Sequence, residues 1–156
     1  MTMQGTNSQC DYTICYTIYP DAVVDMQVTF TPKADTRRIG LALQFANGFE
    51  DVEYYARGPW SNYVDRKTGS RLGRYTTTVD GMVEEQIHPQ TFGDHQDLRE
   101  LLLKNVSQGI SLAIQTSGNV AFSLSHFDEN DYCGKGDTMW SDGIHWYDLT
   151  RHGQVY

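Results

Sequence analysis

The sequence predicts an all-β protein built from antiparallel sheets packed face to face. Three observations carry that prediction. Apolar and polar residues alternate with a period of two over successive short runs, as half-buried strands require. Turn signals separate about eight such runs at roughly ten-residue spacing, the rhythm of a sandwich. The 156 residues are also rich in side chains that suit pleated surfaces, with ten Tyr, six Phe and three Trp.

The first runs are Tyr12 to Tyr19 and Val24 to Thr31. Tyr12, Ile14, Tyr16 and Ile18 share one face of the former. Val24, Met26, Val28 and Phe30 share one face of the latter. Pro20-Asp21 joins them, a pair suited to a tight turn. Leu41, Leu43 and Phe45 predict a further strand, as do Val52 and Tyr54 beside Glu53 and Tyr55. Arg71 to Val79 is rich in Tyr and Thr. Leu98 to Lys104 and Gly109 to Thr116 predict a hairpin across Asn105-Val106-Ser107-Gln108. Val120, Phe122 and Leu124 predict a separate strand after it. One short helix is expected at Asp128 to Cys133, where the Asp128 carboxylate can accept a free amide hydrogen. Asp142 to Tyr156 alternates weakly and stops in mid-strand. The chain therefore reads as 1–156 of one partial sandwich domain within a larger protein. Unpaired strand edges predict self-association. Size-exclusion chromatography with light scattering is expected to show oligomers, and a compact monomer alone would count against the idea.

Composition excludes several function classes. Twelve Lys and Arg against twenty Asp and Glu leave a net charge of −8, with no basic stripe. Nucleic-acid binding and docking on anionic membranes both need concentrated positive charge. No apolar run approaches the roughly 20 residues of a membrane span. Met1 to Gln9 is polar and has no basic-then-apolar leader pattern, so any export signal would lie outside this chain. The compartment stays open. Cys10, Cys15 and Cys133 form no CxxC pair. Cys10 and Cys15 are five apart and face opposite sides of a strand, which disfavours a disulfide.

Two segments draw attention for chemistry. Gly58-Pro59 forces a turn, and Trp60, Asn62, Tyr63, Asp65 and Arg66 follow within seven positions. Flat aromatic faces beside amide, carboxylate and guanidinium groups are what a sugar site needs, so these five are the candidate carbohydrate-binding residues. The structural alternative has Trp60 and Tyr63 packing the loop onto the sheet while Asp65 and Arg66 pair locally. The stretch Ile87 to Asp97 holds His88, Asp94, His95 and Asp97, types that bind metals or exchange protons. Their spacing matches no ligand motif, and a solvated loop is the simpler reading. Glu50-Asp51 and Glu84-Glu85 read as surface charge. No catalytic residue, metal ligand or cofactor is assigned within the chain, since nothing singles out the two opposed carboxylates that glycoside hydrolysis uses.

The segment Arg57-Gly58-Pro59-Trp60-Ser61-Asn62-Tyr63-Val64-Asp65-Arg66-Lys67 resembles the R-G-P-x-E-N-Y-x-D-R-K signature of the C-terminal small-chain domain of glycoside hydrolase family 2 β-galactosidases. Further segments match in order: Gly73-Arg74-Tyr75 with Val79, then Pro89-Gln90-Thr91-Phe92-Gly93-Asp94-His95, then Leu98-Arg99-Glu100-Leu101, then Phe122 to Phe127. The resemblance implies a galactose mutarotase-like β-supersandwich that supports a separate catalytic barrel, where the acid/base and nucleophile glutamates reside. The implied parent hydrolyses terminal β-galactosides, and its remaining domains are the implied partners. Ser61 and Thr91 stand where the family usually has Glu, which puts any role of those two carboxylates in doubt. Two other functions are alternatives: a carbohydrate-binding module for galactosides, from the five loop residues, and an aldose mutarotase. The latter rests on the implied fold alone, and a fold by itself does not confer activity.

Overall fold

The computed structural model describes residues 1–35, 39–84, 93–126 and the backbone of 153–154. Every described element is a strand except one 3-10 turn, Asp80–Met82, so the all-β class holds. The chain divides into two units, Met1–Gly40 and Leu41–Tyr156.

The first unit is a three-stranded antiparallel sheet of β1 (Thr2–Thr6), β2 (Cys10–Ile18) and β3 (Val24–Pro32), in that spatial order. β2 and β3 pair from Cys10 opposite Pro32 to Ile18 opposite Val24, as the two alternating runs predict. β1 escapes the periodicity because Thr-Met-Gln-Gly-Thr has no apolar face. Its membership rests on backbone pairing, with Thr2 opposite Cys15 and Thr6 opposite Asp11. Cys10 and Cys15 are both free thiols. Among the described residues of this unit only Cys10 is buried, so the sheet has no core of its own.

The second unit holds β4 (Asp51–Gly58), β5 (Arg71–Thr78), β6 (His95–Asn105), β7 (Ile110–Leu124) and β8 (Gly153–Gln154), in the order β5-β4-β6-β7-β8. Its described pairings are all antiparallel. β4 shows why alternation builds this sheet: Val52, Tyr54 and Ala56 are buried while Glu53, Tyr55 and Arg57 between them are not. Leu98, Leu101, Leu103, Phe122 and Leu124 complete the core from β6 and β7, and Val79 and Met82 close it from the 3-10 turn. Each such side chain contributes about 1.5–3 kcal/mol on full burial.

The predicted hairpin is present between β6 and β7. Asn105 shapes its turn: its side-chain oxygen accepts from the Ser107 hydroxyl at 2.7 Å and the Gln108 amide at 3.1 Å. Gly109 supplies the positive φ of 65° that closes the turn. Two expectations need correction. Leu41 to Phe45 is not a strand, because Phe45 and the following Phe49 pack on the core from an irregular segment that needs no ladder partner. Val120 to Leu124 is not separate, because β7 runs unbroken for 15 residues. The register of β7 against β6 shifts between His95 and Glu100, where Asp97 adopts a φ of +60°. Opposite this bulge, Gly118 leaves room for Arg99: a Cβ there would lie 3.3 Å from Arg99 Nε. The helix expected at Asp128 to Cys133 lies outside the described residues, as do Thr91 and Cys133.

Candidate functional site

The signature loop leaves the end of β4 through a cis peptide at Gly58-Pro59 and returns towards β5. Its conformation is set by groups facing inward. Asn62 is fully buried. Its amide donates to the carbonyls of Arg57 at 3.1 Å and Trp60 at 3.0 Å, and its oxygen accepts from the Gln96 amide at 2.9 Å. Its own backbone N–H reaches the Asp94 carbonyl at 2.7 Å. Both amide hydrogens and the oxygen are thus spent on backbone groups, as a buried amide requires.

A second brace grips the loop at both ends. Arg57 Nε donates to Asp97 at 2.5 Å, and Lys67 Nζ reaches the other carboxylate oxygen at 3.2 Å. Arg57 Nη1 also donates to the Ser70 carbonyl at 3.0 Å. The bulge in β6 aims Asp97 at both cations, which explains why its backbone enters the left-handed region. Arg57 and Lys67 hold the Asp97 carboxyl below its ordinary value of 3.8.

The third brace comes from across the fold. Glu84 accepts from the Ser61 amide at 2.8 Å and from its hydroxyl at 2.5 Å. Arg66 Nη2 lies 3.4 Å from the same hydroxyl, and its guanidinium sits 5.4 Å from the centre of the Tyr63 ring. Burial, then the charges of Asp94 and Glu84, push the Tyr63 phenol up to about 12. A carboxylate is therefore present beside position 61 although residue 61 is serine. Glu84 is half-buried in that role and hydrogen-bonded to Ser61, not the free surface charge that the sequence indicates. A double-mutant cycle checks the point. Ser61→Glu alone is expected to destabilise the chain by about 1–3 kcal/mol, by setting two carboxylates together in a site with little room. Glu84→Gln in the same chain is expected to return much of that loss, and coupling below about 0.5 kcal/mol would refute the compensation.

Of the five candidate sugar residues, the structure buries Asn62, half-buries Tyr63 and leaves Trp60, Asp65 and Arg66 exposed, Arg66 still touching Ser61 and Tyr63. Trp60 is 73% exposed, so it does not pack the loop onto the sheet. Of the histidine stretch, His95 is buried and not solvated: its Nδ1 meets the Arg57 carbonyl at 2.9 Å. Its ring packs 5.0 Å from Tyr54 and 5.4 Å from Phe122. Asp94 is buried beside it, and His88 lies outside the described residues. Glu50 faces His126, with 3.1 Å between carboxylate and Nε2. Among the described residues no group of three His, Cys, Asp or Glu side chains is placed to hold a metal ion.

Burial lowers the His95 pKa from its ordinary 6.5. An unfolded chain takes up a proton near 6.5 that the folded chain refuses. The stabilisation is therefore complete above 6.5 and declines as pH falls towards the folded value, by at most ~1.4 kcal/mol per pH unit. Asp97 adds a second acid-side loss: its contribution is complete above 3.8 and disappears as pH falls through its lower folded value. Urea unfolding followed downward from neutral pH is expected to show the first decline, and His95→Gln is expected to flatten it. An equal slope in that variant would remove His95 as the cause.

These observations define an all-β, antiparallel unit with a polar loop hydrogen-bonded onto its sheet. The Asn62 amide and the charges of Arg57, Lys67 and Asp97 serve the architecture of that loop. The chain belongs to the beta galactosidase small chain family, whose model matches residues 1–156. It is similar to a beta-galactosidase of Staphylococcus xylosus, at 35% identity over 104 residues, covering 66% of this chain and 10% of the relative. It is similar to that of Lactococcus lactis, at 33% identity over 120 residues, covering 76% of this chain and 11% of the relative. A beta-galactosidase of Halalkalibacterium halodurans is 26% identical over 160 residues, covering 83% of this chain and 16% of the relative. The chain thus spans a small part of the length of the curated relatives it matches.

Proposed function

We propose that this chain is a non-catalytic segment of a longer β-galactosidase of glycoside hydrolase family 2, part of its C-terminal mutarotase-like sandwich. There it buttresses the catalytic barrel and helps the remaining domains assemble. One observation carries the reading: the inward commitment of the signature loop, where Asp97 consumes Arg57 and Lys67 and backbone groups consume Asn62. Groups so held fix a loop in place. A general acid or base must instead reach the bond being broken. The hydrolysis of terminal β-galactosides then belongs to a region outside the chain, and the residues here require no cofactor.

Purified chain is expected to show no turnover of a chromogenic β-galactoside. In the full-length enzyme, Arg57→Ala is expected to lower stability while kcat of the folded fraction stays within about twofold. Turnover by the chain that vanishes when one of its own carboxylates is replaced would overturn the reading.

A second reading, carbohydrate binding at the loop, is favoured by the exposed Trp60 ring on a fixed backbone, beside the exposed Asp65 and Arg66. Titration with galactose is expected to change Trp fluorescence in the chain but not in Trp60→Phe. The absence of any saturable change would remove it.

A further inference from the structure

We propose that the outward face of the five-stranded sheet carries a second binding place, a hollow for one neutral pyranose ring framed by Tyr55, Arg74, Glu100 and Gln115 above Ala113. It is separate from the signature loop and does not depend on the function proposed above.

The sheet builds this hollow by register. Val52, Tyr54 and Ala56 point into the core, so Glu53 and Tyr55 point outward. Tyr55 lies opposite Arg74 of β5 and opposite Glu100 of β6, and Glu100 lies opposite Gln115 of β7. These four residues form one polar row across four strands. Beside it run Thr76, Glu53, Leu102 and Ala113, in register with one another. Thr76 and Ala113 are short, which opens a depression of about 230 Å³ lined by both rows. Sites for drug-sized ligands begin at about 300 Å³, so this one suits a single ring.

The lining selects for a neutral polyol. Arg74 pairs with Glu100 at 2.6 Å, and Lys104 pairs with Glu53. Charge is therefore compensated in place, and the hollow offers no strong field to an ion. What it does offer is alternating donors and acceptors: guanidinium, carboxylate and carboxamide. Vicinal sugar hydroxyls, each both donor and acceptor, match that alternation. The Tyr55 wall is held in place by guanidinium groups at 4.9 Å (Arg74) and 5.5 Å (Arg99) from its ring centre. Arg74 and Glu100 are 68% and 42% exposed, so water competes for them and binding is weak. A Kd of about 1–10 mM is expected.

The test is a titration of the isotope-labelled 156-residue chain with methyl β-galactoside, followed by amide chemical shifts. The expected result is saturable shifts at Tyr55, Arg74, Glu100 and Gln115. Ala113→Phe, which fills the hollow, is expected to weaken binding at least about tenfold. Arg74→Gln, with its fold checked by the amide spectrum away from the hollow, is expected to weaken it similarly. Val106→Ala, at the exposed β6–β7 turn away from both sites, is expected to leave it unchanged. Non-saturating shifts, saturable shifts confined to residues 60–66, or equal affinity in Arg74→Gln would overturn the proposal.

Discussion

Asn62→Ala is expected to destabilise the chain by about 3–5 kcal/mol. The substitution removes three hydrogen bonds at a site with no solvent access. The Arg57 carbonyl keeps His95 as a partner, but the Trp60 carbonyl and the Gln96 amide each lose the one that Asn62 gives them. A buried group without a partner costs about 1–3 kcal/mol, well above the net value of an ordinary hydrogen bond. The small cavity left by the carboxamide adds to that. Chemical denaturation of the wild type and the variant, followed by Trp fluorescence, measures the difference. Val64→Ala on the same loop is the control: Val64 is 80% exposed and should shift stability by no more than about 0.5 kcal/mol. A loss below about 1 kcal/mol for Asn62→Ala would show that the loop is held by its charged braces alone.

Phe122→Ala should cost about 3–5 kcal/mol for a different reason. Phe122 is completely buried, and its ring stands 5.4 Å from both Tyr54 and His95. Through those contacts the core of β7 supports the site: Tyr54 reaches the Pro59 carbonyl at 3.4 Å and His95 reaches that of Arg57 at 2.9 Å. Truncation leaves a void beside a buried imidazole, which water can enter. The His95 pKa should then rise back towards 6.5, and the acid-side decline in stability should shrink. Phe122→Leu keeps most of the volume and should cost less than half as much. A loss under about 1.5 kcal/mol for the alanine variant, with an unchanged pH slope, would mean that this aromatic cluster does not support the loop.

The two losses separate what the loop needs from what the sheet needs. Asn62 satisfies backbone groups that no strand pairs, whereas Phe122 supplies apolar burial. Arg57, Lys67 and Asp97 form a third element, less buried and correspondingly weaker. That division accounts for the signature: Arg57, Asn62 and Lys67 brace the loop from within, while Trp60 and Val64 are left exposed. Exposed apolar side chains on a fixed backbone are available for contact with another molecule or another part of a longer protein.

Alternation alone determined the all-β class, the β2–β3 pairing, the core face of β4 and the β6–β7 hairpin, because side chains on a strand must divide between two faces. The ordered matches beginning at Arg57 determined the family. Tertiary structure alone decided which polar residues meet. Glu84 and Ser61 are 23 positions apart, and Arg57 and Asp97 are 40 apart. No periodicity encodes such distances, so Glu84 reads as surface charge and His95 as a solvated histidine until the chain folds. β1 stayed hidden because backbone pairing leaves no mark on a strand without an apolar face, and Leu41 to Phe45 misleads because burial against a core does not require a ladder.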